Sequence, residues 1–281
     1  DEPSSALDPV AESRMYDYNL SNHTFNRSMK FLKADSTIAY MKIKKFSQKH
    51  ASKFYDYSFN RIKNAKTQYL IIDIRDNLGG SLTEINNLYS YIAKEDFTLL
   101  KTPEMSFKNA SLHRNYFNGL TIAGQAAASI AYPGFLLGNM LMNREGKDGV
   151  YYYKQRASKF TNSNKNGFRG KIYLLINGSS FSASAILAAK FKDDKLGVVV
   201  GEETGGAKDG TVAGFYNTIR LKNSKLKIPI GLLLIQPNIH FGNQNRGVMP
   251  DVTINYNPFN FNDKKDLELE WVLNDIQKNT D

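Results

Sequence analysis

Lys171-Ile-Tyr-Leu-Leu-Ile-Asn-Gly-Ser-Ser-Phe-Ser-Ala-Ser-Ala-Ile-Leu-Ala-Ala-Lys-Phe191 changes character twice along its length. Its opening, Lys171 to Asn177, is a short apolar run of the kind expected in a strand covered on both faces. Gly178 to Ser182 then read as a turn, and Ala183 to Phe191 as a helix carrying small residues. The same order occurs upstream. Tyr69-Leu-Ile-Ile-Asp-Ile74 is another buried-strand run, Gly79-Gly80 break the chain, and Ser81 can cap a helix running to Tyr91. Downstream, Leu196-Gly-Val-Val-Val200 is a third strand, leading into the glycine-rich segment Gly201 to Gly210. This alternation predicts an α/β core.

Thr37 to Phe46 mixes β-branched, aromatic and alternating residues and predicts a further strand. Residues 50–65 carry Phe54, Tyr57, Phe59 and Ile62 at helical spacing. Val212 to Leu221 and Leu226 to Ile235 read as a hairpin turning at Asn223-Ser224, and residues 265–277 as a closing amphipathic helix. The block at about 99–168 fits the rhythm poorly and is read as an insertion: a lid over a cleft, a partner surface or a membrane-facing patch. Residues 1–36 are polar with little periodicity and read as an N-terminal tail or the remnant of a helical region. The core is thereby assigned to 37–281.

The 281 residues, 41% of them hydrophobic, suffice for one large domain or one domain with an appendage. A charged fraction of 23% is ordinary for a folded chain. The formal charge of +10 and a pI near 9.4 make the surface basic. Its Lys residues are interleaved with Asp and Glu, and no helix-turn-helix, zinc-finger or aromatic nucleic-acid signature accompanies them, so nucleic acid is not an expected partner. The absence of Cys excludes disulfides, thiolate metal sites and Cys nucleophiles, and suits an oxidising compartment. Residues 115–143 carry no charge, yet Asn, Gln, Ser, Thr and Pro133-Gly134 interrupt them, which disfavours a spanning helix and leaves a membrane-surface contact open. No clustered His/Asp set suggests a metal, and no cofactor is implied.

Acyl transfer needs a nucleophile, a base and donors aimed at a developing oxyanion. Asp73-Ile-Arg-Asp-Asn-Leu-Gly-Gly80 can turn backbone N–H groups into a cleft without a side chain in the way. Ser179-Ser-Phe-Ser-Ala-Ser184 sets a Ser at a helix N-terminus, among unsatisfied N–H donors and the positive end of the dipole. Taken singly, the first is commonly a turn and the second commonly a cap. The four histidines, His23, His50, His113 and His240, stand in no motif that demands catalysis. Glu202-Glu203 are adjacent on a strand or turn, point apart, and suit a structural role better than a carboxylate pair.

Together the two turns resemble the tail-specific, or C-terminal processing, serine peptidases. Members carry a strand ending in Asp-Leu-Arg-x-Asn-x-Gly-Gly, matched by Asp73 to Gly80. They also carry Ser-Ala-Ser-Glu entering a helix, matched by Ser182-Ala183-Ser184-Ala185. Val-Val-Gly-Glu-x-Thr-x-Gly follows at Val199 to Gly206, and Gly-Val-x-Pro-Asp at Gly247 to Asp251. The Gly-Gly-Ala form and the Leu-x-Asn-Ser-Lys hairpin look most like Bacteroides-type variants.

The resemblance implies a ClpP/crotonase-like fold of repeated strand-strand-helix units. It makes Ser182, not Ser184, the nucleophile, and gives the oxyanion donors as the N–H of Ala183 and of Gly80 or Gly79. The base it implies is a neutral Lys, and Lys208 is the candidate, forming a Ser-Lys dyad. Lys208 stands one residue later than in the family pattern, beside Asp209, and Ala213 and Ala185 replace the family's Gln and Glu. A one-residue bulge would restore Lys208 to the site; otherwise it is a solvated residue paired with Asp209. A PDZ domain, common in the family before the first core strand, does not fit into the 36 residues preceding Thr37. The implied activity is endopeptidic cleavage of unfolded or C-terminal polypeptide in the bacterial periplasm or cell envelope; substrate preference and oligomeric state stay open. The rivals are a catalytically silent peptide-binding relative and a crotonase-type acyl-CoA enzyme.

Overall fold

A computed structural model describes residues 14–20, 23–108, 122–240, 245–256 and 265–279. In chain order its strands are β1 (Tyr18–Asn19), β2 (Thr24–Phe25), β3 (Arg27–Phe31), β4 (Ile38–Ile43), β5 (Tyr69–Asp73), β6 (Glu104–Met105) and β7 (Asn143–Glu145). There follow β8 (Tyr151–Tyr153), β9 (Lys171–Ile176), β10 (Val198–Gly201), β11 (Thr211–Arg220), β12 (Lys227–Ile235) and β13 (Val252–Thr253). The helices are α1 (Ala51–Asn64), α2 (Leu82–Ile92), α3 (Ile122–Met142), α4 (Ala183–Asp193) and α5 (Leu267–Lys278). The chain divides into two compact units.

The first unit comprises Asp1–Phe97, Phe160–Asp209 and Ile239–Asp281. It is built on a six-stranded sheet in the order β13-β10-β9-β5-β4-β3, parallel throughout except for the antiparallel β3–β4 pair. The central strands β5 and β9 are the continuous apolar runs of the sequence, buried because both faces are covered. Ile71, Tyr173, Leu175 and Val200 meet Val272 and Ile276 of α5 on one face. Leu70, Ile72, Ile172 and Leu174 alternate with them, are equally buried, and point to the opposite face. In α1, Phe54, Tyr55, Phe59 and Ile62 form the buried stripe, and Phe59 stacks on Tyr91 of α2 with ring centroids 4.5 Å apart. Ser81 caps α2 by accepting the Glu84 N–H at 3.2 Å.

Residues 1–36, expected as a tail, contain a strand of this sheet. Alternate residues of β3, Arg27 and Met29, are buried, whereas Ser28 and Lys30 face solvent, so an edge strand reads as polar. Arg27 is fully buried because its guanidinium is saturated: it donates to Glu84 Oε1 at 2.9 Å, Met15 O at 3.0 Å, Ser47 Oγ at 2.9 Å and Lys49 O at 2.8 Å. Glu84 also accepts from the Tyr55 hydroxyl, and burial with that neighbouring carboxylate pushes the Tyr55 phenol well above its ordinary range.

The second unit comprises Thr98–Lys159 and Gly210–Asn238. Its boundaries differ from the insertion expected at 99–168. Residues 160–168 pair within the first unit, through the Phe97–Thr161 bridge and the Phe168 N–H to Tyr91 O bond. The β11–β12 hairpin, expected in the core, joins the second unit because Leu233 and Leu234 pair with Met105 and Glu104, more than a hundred residues earlier. The resulting antiparallel sheet has the order β11-β12-β6-β8-β7. In the uncharged block 115–143, residues 115–121 lie outside the described residues and 122–142 form α3, with Pro133 inside it. Among the described residues no helix is long and apolar enough to cross a membrane.

Candidate active site

The first turn begins where β5 ends. Asp73 accepts from Tyr40 Oη at 2.5 Å, Lys42 Nζ at 3.0 Å and Arg75 Nη2 at 2.8 Å. Arg75 continues to Asp266, the N-cap of α5, at 2.7 Å and to Glu268 at 3.0 Å. Burial opposes charge on Asp73 and on Asp266, but the Arg75 guanidinium outweighs it and holds both carboxyls below their ordinary value. Asp73 and Arg75 therefore fasten the strand end to α5. Beyond them, the fully buried Asn77 donates from Nδ2 to Ile43 O at 2.8 Å and accepts the Gly79 N–H at 2.9 Å.

The second turn is tied to the first. Phe181 N–H donates to Asn77 O at 3.0 Å, Ser180 Oγ donates to Ile74 O at 2.9 Å, and Asp76 and Asn177 exchange side-chain hydrogen bonds. Ser182 follows at φ 53°, ψ −117°, a conformation that costs an L-residue about 1–3 kcal/mol. It occupies the N-cap of α4, but its side chain makes no capping bond. Ser182 is half-buried, whereas Ser184 is fully buried and its Oγ has no partner among the described residues. As the first residue of α4, Ala183 presents an N–H with no acceptor inside the helix.

The glycines explain how the turns come so close. A Cβ on Gly79 (φ 101°) would lie 2.8 Å from Ser182 Cβ and 2.9 Å from Ala183 N. On Gly80 it would lie 2.0 Å from Phe46 O. Phe46 N–H donates to Gly79 O and Ser81 N–H to Phe46 O, so the N–H of Gly80, lying between, faces away from Phe46. Phe46 extends the β4 side of β5, so that N–H faces the β9 side, which carries Ser182. Of the two glycines left open by the sequence, Gly79 has its N–H committed to Asn77.

The third turn follows β10. Thr204 Oγ1 donates to Gly206 O at 2.7 Å and accepts the Val248 N–H at 2.8 Å. Gly206 N–H donates to Ser180 O at 3.2 Å, and a Cβ on Gly206 would lie 2.9 Å from Ser182 N. Lys208 stands two residues further on, its N–H bonded to Arg246 O at 3.0 Å beside the Ala207–Gly247 bridge. It is 8% exposed, which corrects the reading of Lys208 as a solvated loop residue. Glu203 accepts from Arg246 and from Gly247 N–H, a structural role, while Glu202 is exposed.

The histidines lie elsewhere. The exposed His240 imidazole meets Asp193 at the last residue of α4, and an 11-residue helix separates that end from Ser182 by about 16 Å. His50 and His23 are exposed, and His113 lies outside the described residues. Among the described residues no three His, Asp or Glu side chains could hold a metal ion. Asn77, Ser180, Thr204 and Gly206 received no role from the sequence, although each lies inside a motif that was singled out. The exposed apolar side chains of Leu78 and Phe181 each immediately precede a site residue.

The profile of peptidase family S41 matches residues 37–254. Tricorn protease of Thermoplasma acidophilum is 24% identical over 224 residues, which is 75% of this chain and 20% of that protein. The chain thus spans about a fifth of the length of this curated relative. Among solved structures, a candidate peptidase from Parabacteroides merdae aligns with a TM-score of 0.53 and 18% identity, covering 93% of this chain and 69% of the other. A candidate S41 protease from Bacteroides fragilis aligns with a TM-score of 0.52 and 12% identity, covering 90% and 58% respectively. At these identities the structures speak for the fold.

Proposed function

From the premise that the chain belongs to peptidase family S41, we propose that it is a serine endopeptidase with Ser182 as nucleophile, Lys208 as general base, and the N–H groups of Gly80 and Ala183 as oxyanion donors. Ser182 Oγ forms the bond to the scissile carbonyl carbon while its proton passes to Lys208 Nζ. The carbonyl electrons move onto the oxygen between the two N–H donors. Collapse expels the amine, which takes the proton from Lys208, and water then releases the acyl group by the same steps. Each oxyanion donor in comparable sites contributes about 3–4 kcal/mol of transition-state stabilisation.

The observation that carries this reading is Ser182 itself: a strained serine at a helix N-terminus that caps nothing, beside a glycine whose missing Cβ leaves Ala183 N–H uncovered. The low exposure of Lys208 supports the base assignment over a solvated loop residue. The exposed Leu78 and Phe181 suit an apolar polypeptide lying across the turn. The same reading takes unfolded or C-terminal segments as substrate and the bacterial periplasm or cell envelope as compartment. The acyl-CoA alternative loses its ground with the family match.

Two assays run in parallel test it: labelling by a fluorophosphonate probe, and cleavage of casein, for the wild type, Ser182→Ala and Lys208→Ala. Wild-type cleavage that both substitutions abolish is the expected result. Cleavage surviving Ser182→Ala would sink the nucleophile, and survival in Lys208→Ala would sink the base. A wild type that binds peptide yet neither labels nor cleaves would point to the catalytically silent relative.

A further inference from the structure

We propose that the β11–β12 ribbon docks this protein on an anionic lipid surface. The starting observation is charge. Thr98–Lys159 and Gly210–Asn238 hold twelve Lys and Arg against three Asp and Glu, so nearly all of the chain's formal +10 resides in the second unit. Gly210–Asn238 contains Arg220, Lys222, Lys225 and Lys227 and no acidic residue.

Strand register sorts this ribbon into two faces. Ile219 pairs with Ile228, Asn217 with Ile230, and the Leu221 N–H bonds Leu226 O. Side chains two apart share a face, so Ile219, Leu221, Leu226, Ile228 and Ile230 form one apolar face. All five are 40–63% exposed. Arg220 and Lys227 oppose each other on the other face, and Lys222 and Lys225 occupy the tip. The apolar face thus ends in a basic collar, as required for shallow insertion beneath anionic headgroups.

Geometry and charge select the occupant. β12 pairs with β6 only at Leu233 and Leu234, so Lys227–Gly231 has β11 as its one strand neighbour among the described residues. A two-stranded ribbon with a bare apolar face is marginal in water. On the β12 side strand addition is disfavoured: in this register the backbone position of Pro229 points away from β11, and proline has no N–H to offer there. A second copy packed on the same face would bring two basic collars together with no acidic residue in either ribbon to offset them. Anionic lipid satisfies both faces at once. In the same unit α3 carries no charged residue and exposes Ile130, Leu137 and Leu141, which adds apolar surface without reaching the hydropathy of a span.

The test is co-sedimentation of the full chain with vesicles of phosphatidylcholine, with and without phosphatidylserine. The expected result is binding to the phosphatidylserine vesicles alone, weakening between about 0.1 M and about 0.5 M salt. Lys222→Gln with Lys225→Gln should lower the partition coefficient about thirtyfold, two basic residues at about 1 kcal/mol each. Leu226→Asn with Ile228→Asn should abolish binding at an unchanged melting temperature, because both side chains are exposed. Wild-type protein left in the supernatant, or wild-type binding by both double variants, would overturn the proposal. So would a ribbon that ignores vesicles but captures an acidic apolar peptide or a second copy of the chain.

Discussion

Replacing Gly79 by Ala adds one methyl group beside Ser182. At φ 101° the new residue sits in a backbone region costing about 1–3 kcal/mol. Its Cβ starts 2.8 Å from Phe181 O and from Ser182 Cβ, and 2.9 Å from Ala183 N. Ordinary van der Waals separation needs roughly half an ångström more, which the two turns can yield only by parting, at about 1–3 kcal/mol. The expected stability loss is therefore about 2–6 kcal/mol. The effect on turnover is separate, because the methyl lies over the Ala183 N–H, a proposed oxyanion donor, and pushes Ser182 from its position. Losing one such donor costs about a hundredfold to a thousandfold in kcat. The assay is kcat/KM on a quenched-fluorescence peptide selected from casein cleavage products, with a urea unfolding curve on the same preparation. A folded Gly79→Ala variant within threefold of wild-type kcat/KM would refute the argument that this glycine keeps the oxyanion position open. Gly80→Ala supplies the contrast: its Cβ would lie 2.0 Å from Phe46 O, so folding fails before catalysis can be measured.

Two further predictions concern stability. Ser182→Gly removes the proposed nucleophile but also the strain at φ 53°, so activity should vanish while the melting temperature rises by about 2 °C, the relief exceeding the added chain entropy of Gly; a lower melting temperature would show that Ser182 is not strained. Arg75→Met leaves Asp73, Asp266 and Glu268 without their shared cation and should cost about 3–5 kcal/mol at pH 7. Asp73 and Asp266 have folded values below their unfolded ones, so their stabilisation is present above about pH 4 and is lost as pH falls through the folded values. The gap between wild type and Arg75→Met in urea should accordingly narrow below pH 4, and a constant gap from pH 7 to pH 3 would rule out this linkage.

The parts legible in the sequence were those set by local chemistry. β5, β9 and β10 announced themselves because burial on both faces writes a continuous apolar run. The turn that carries Ser182 was legible because strand, turn and small-residue helix follow one another directly. Arg27 was not: an Arg in a polar stretch reads as surface, and its four partners come from positions 15, 47, 49 and 84. The β11–β12 ribbon was correctly read as a hairpin yet placed in the wrong unit, because its attachment to β6 is non-local pairing that no period reports. The burial of Lys208 was not legible for the same reason, and the alternative of a solvated loop residue stayed open. Its burial follows from pairing with Arg246 to Val248, a segment almost forty residues later.

The glycines show most sharply what a motif reading leaves out. Gly79 and Gly206 were each explicable as turn residues, yet they approach Ser182 from two segments over a hundred residues apart, one against its Cβ and the other against its N. Neither contact tolerates a side chain, so the two glycines act as a pair in holding the serine. This also accounts for how Ser182 keeps an unfavourable conformation. Phe181 N–H bonds Asn77 O, Gly206 N–H bonds Ser180 O, and Ser180 Oγ bonds Ile74 O, so hydrogen bonds to both other turns fix the residues preceding Ser182. At a net of about 1 kcal/mol each, three such bonds offset a strain of about 1–3 kcal/mol. Ser182 is therefore aimed by three turns together, and loosening any one of them should release the serine before it unfolds the sheet.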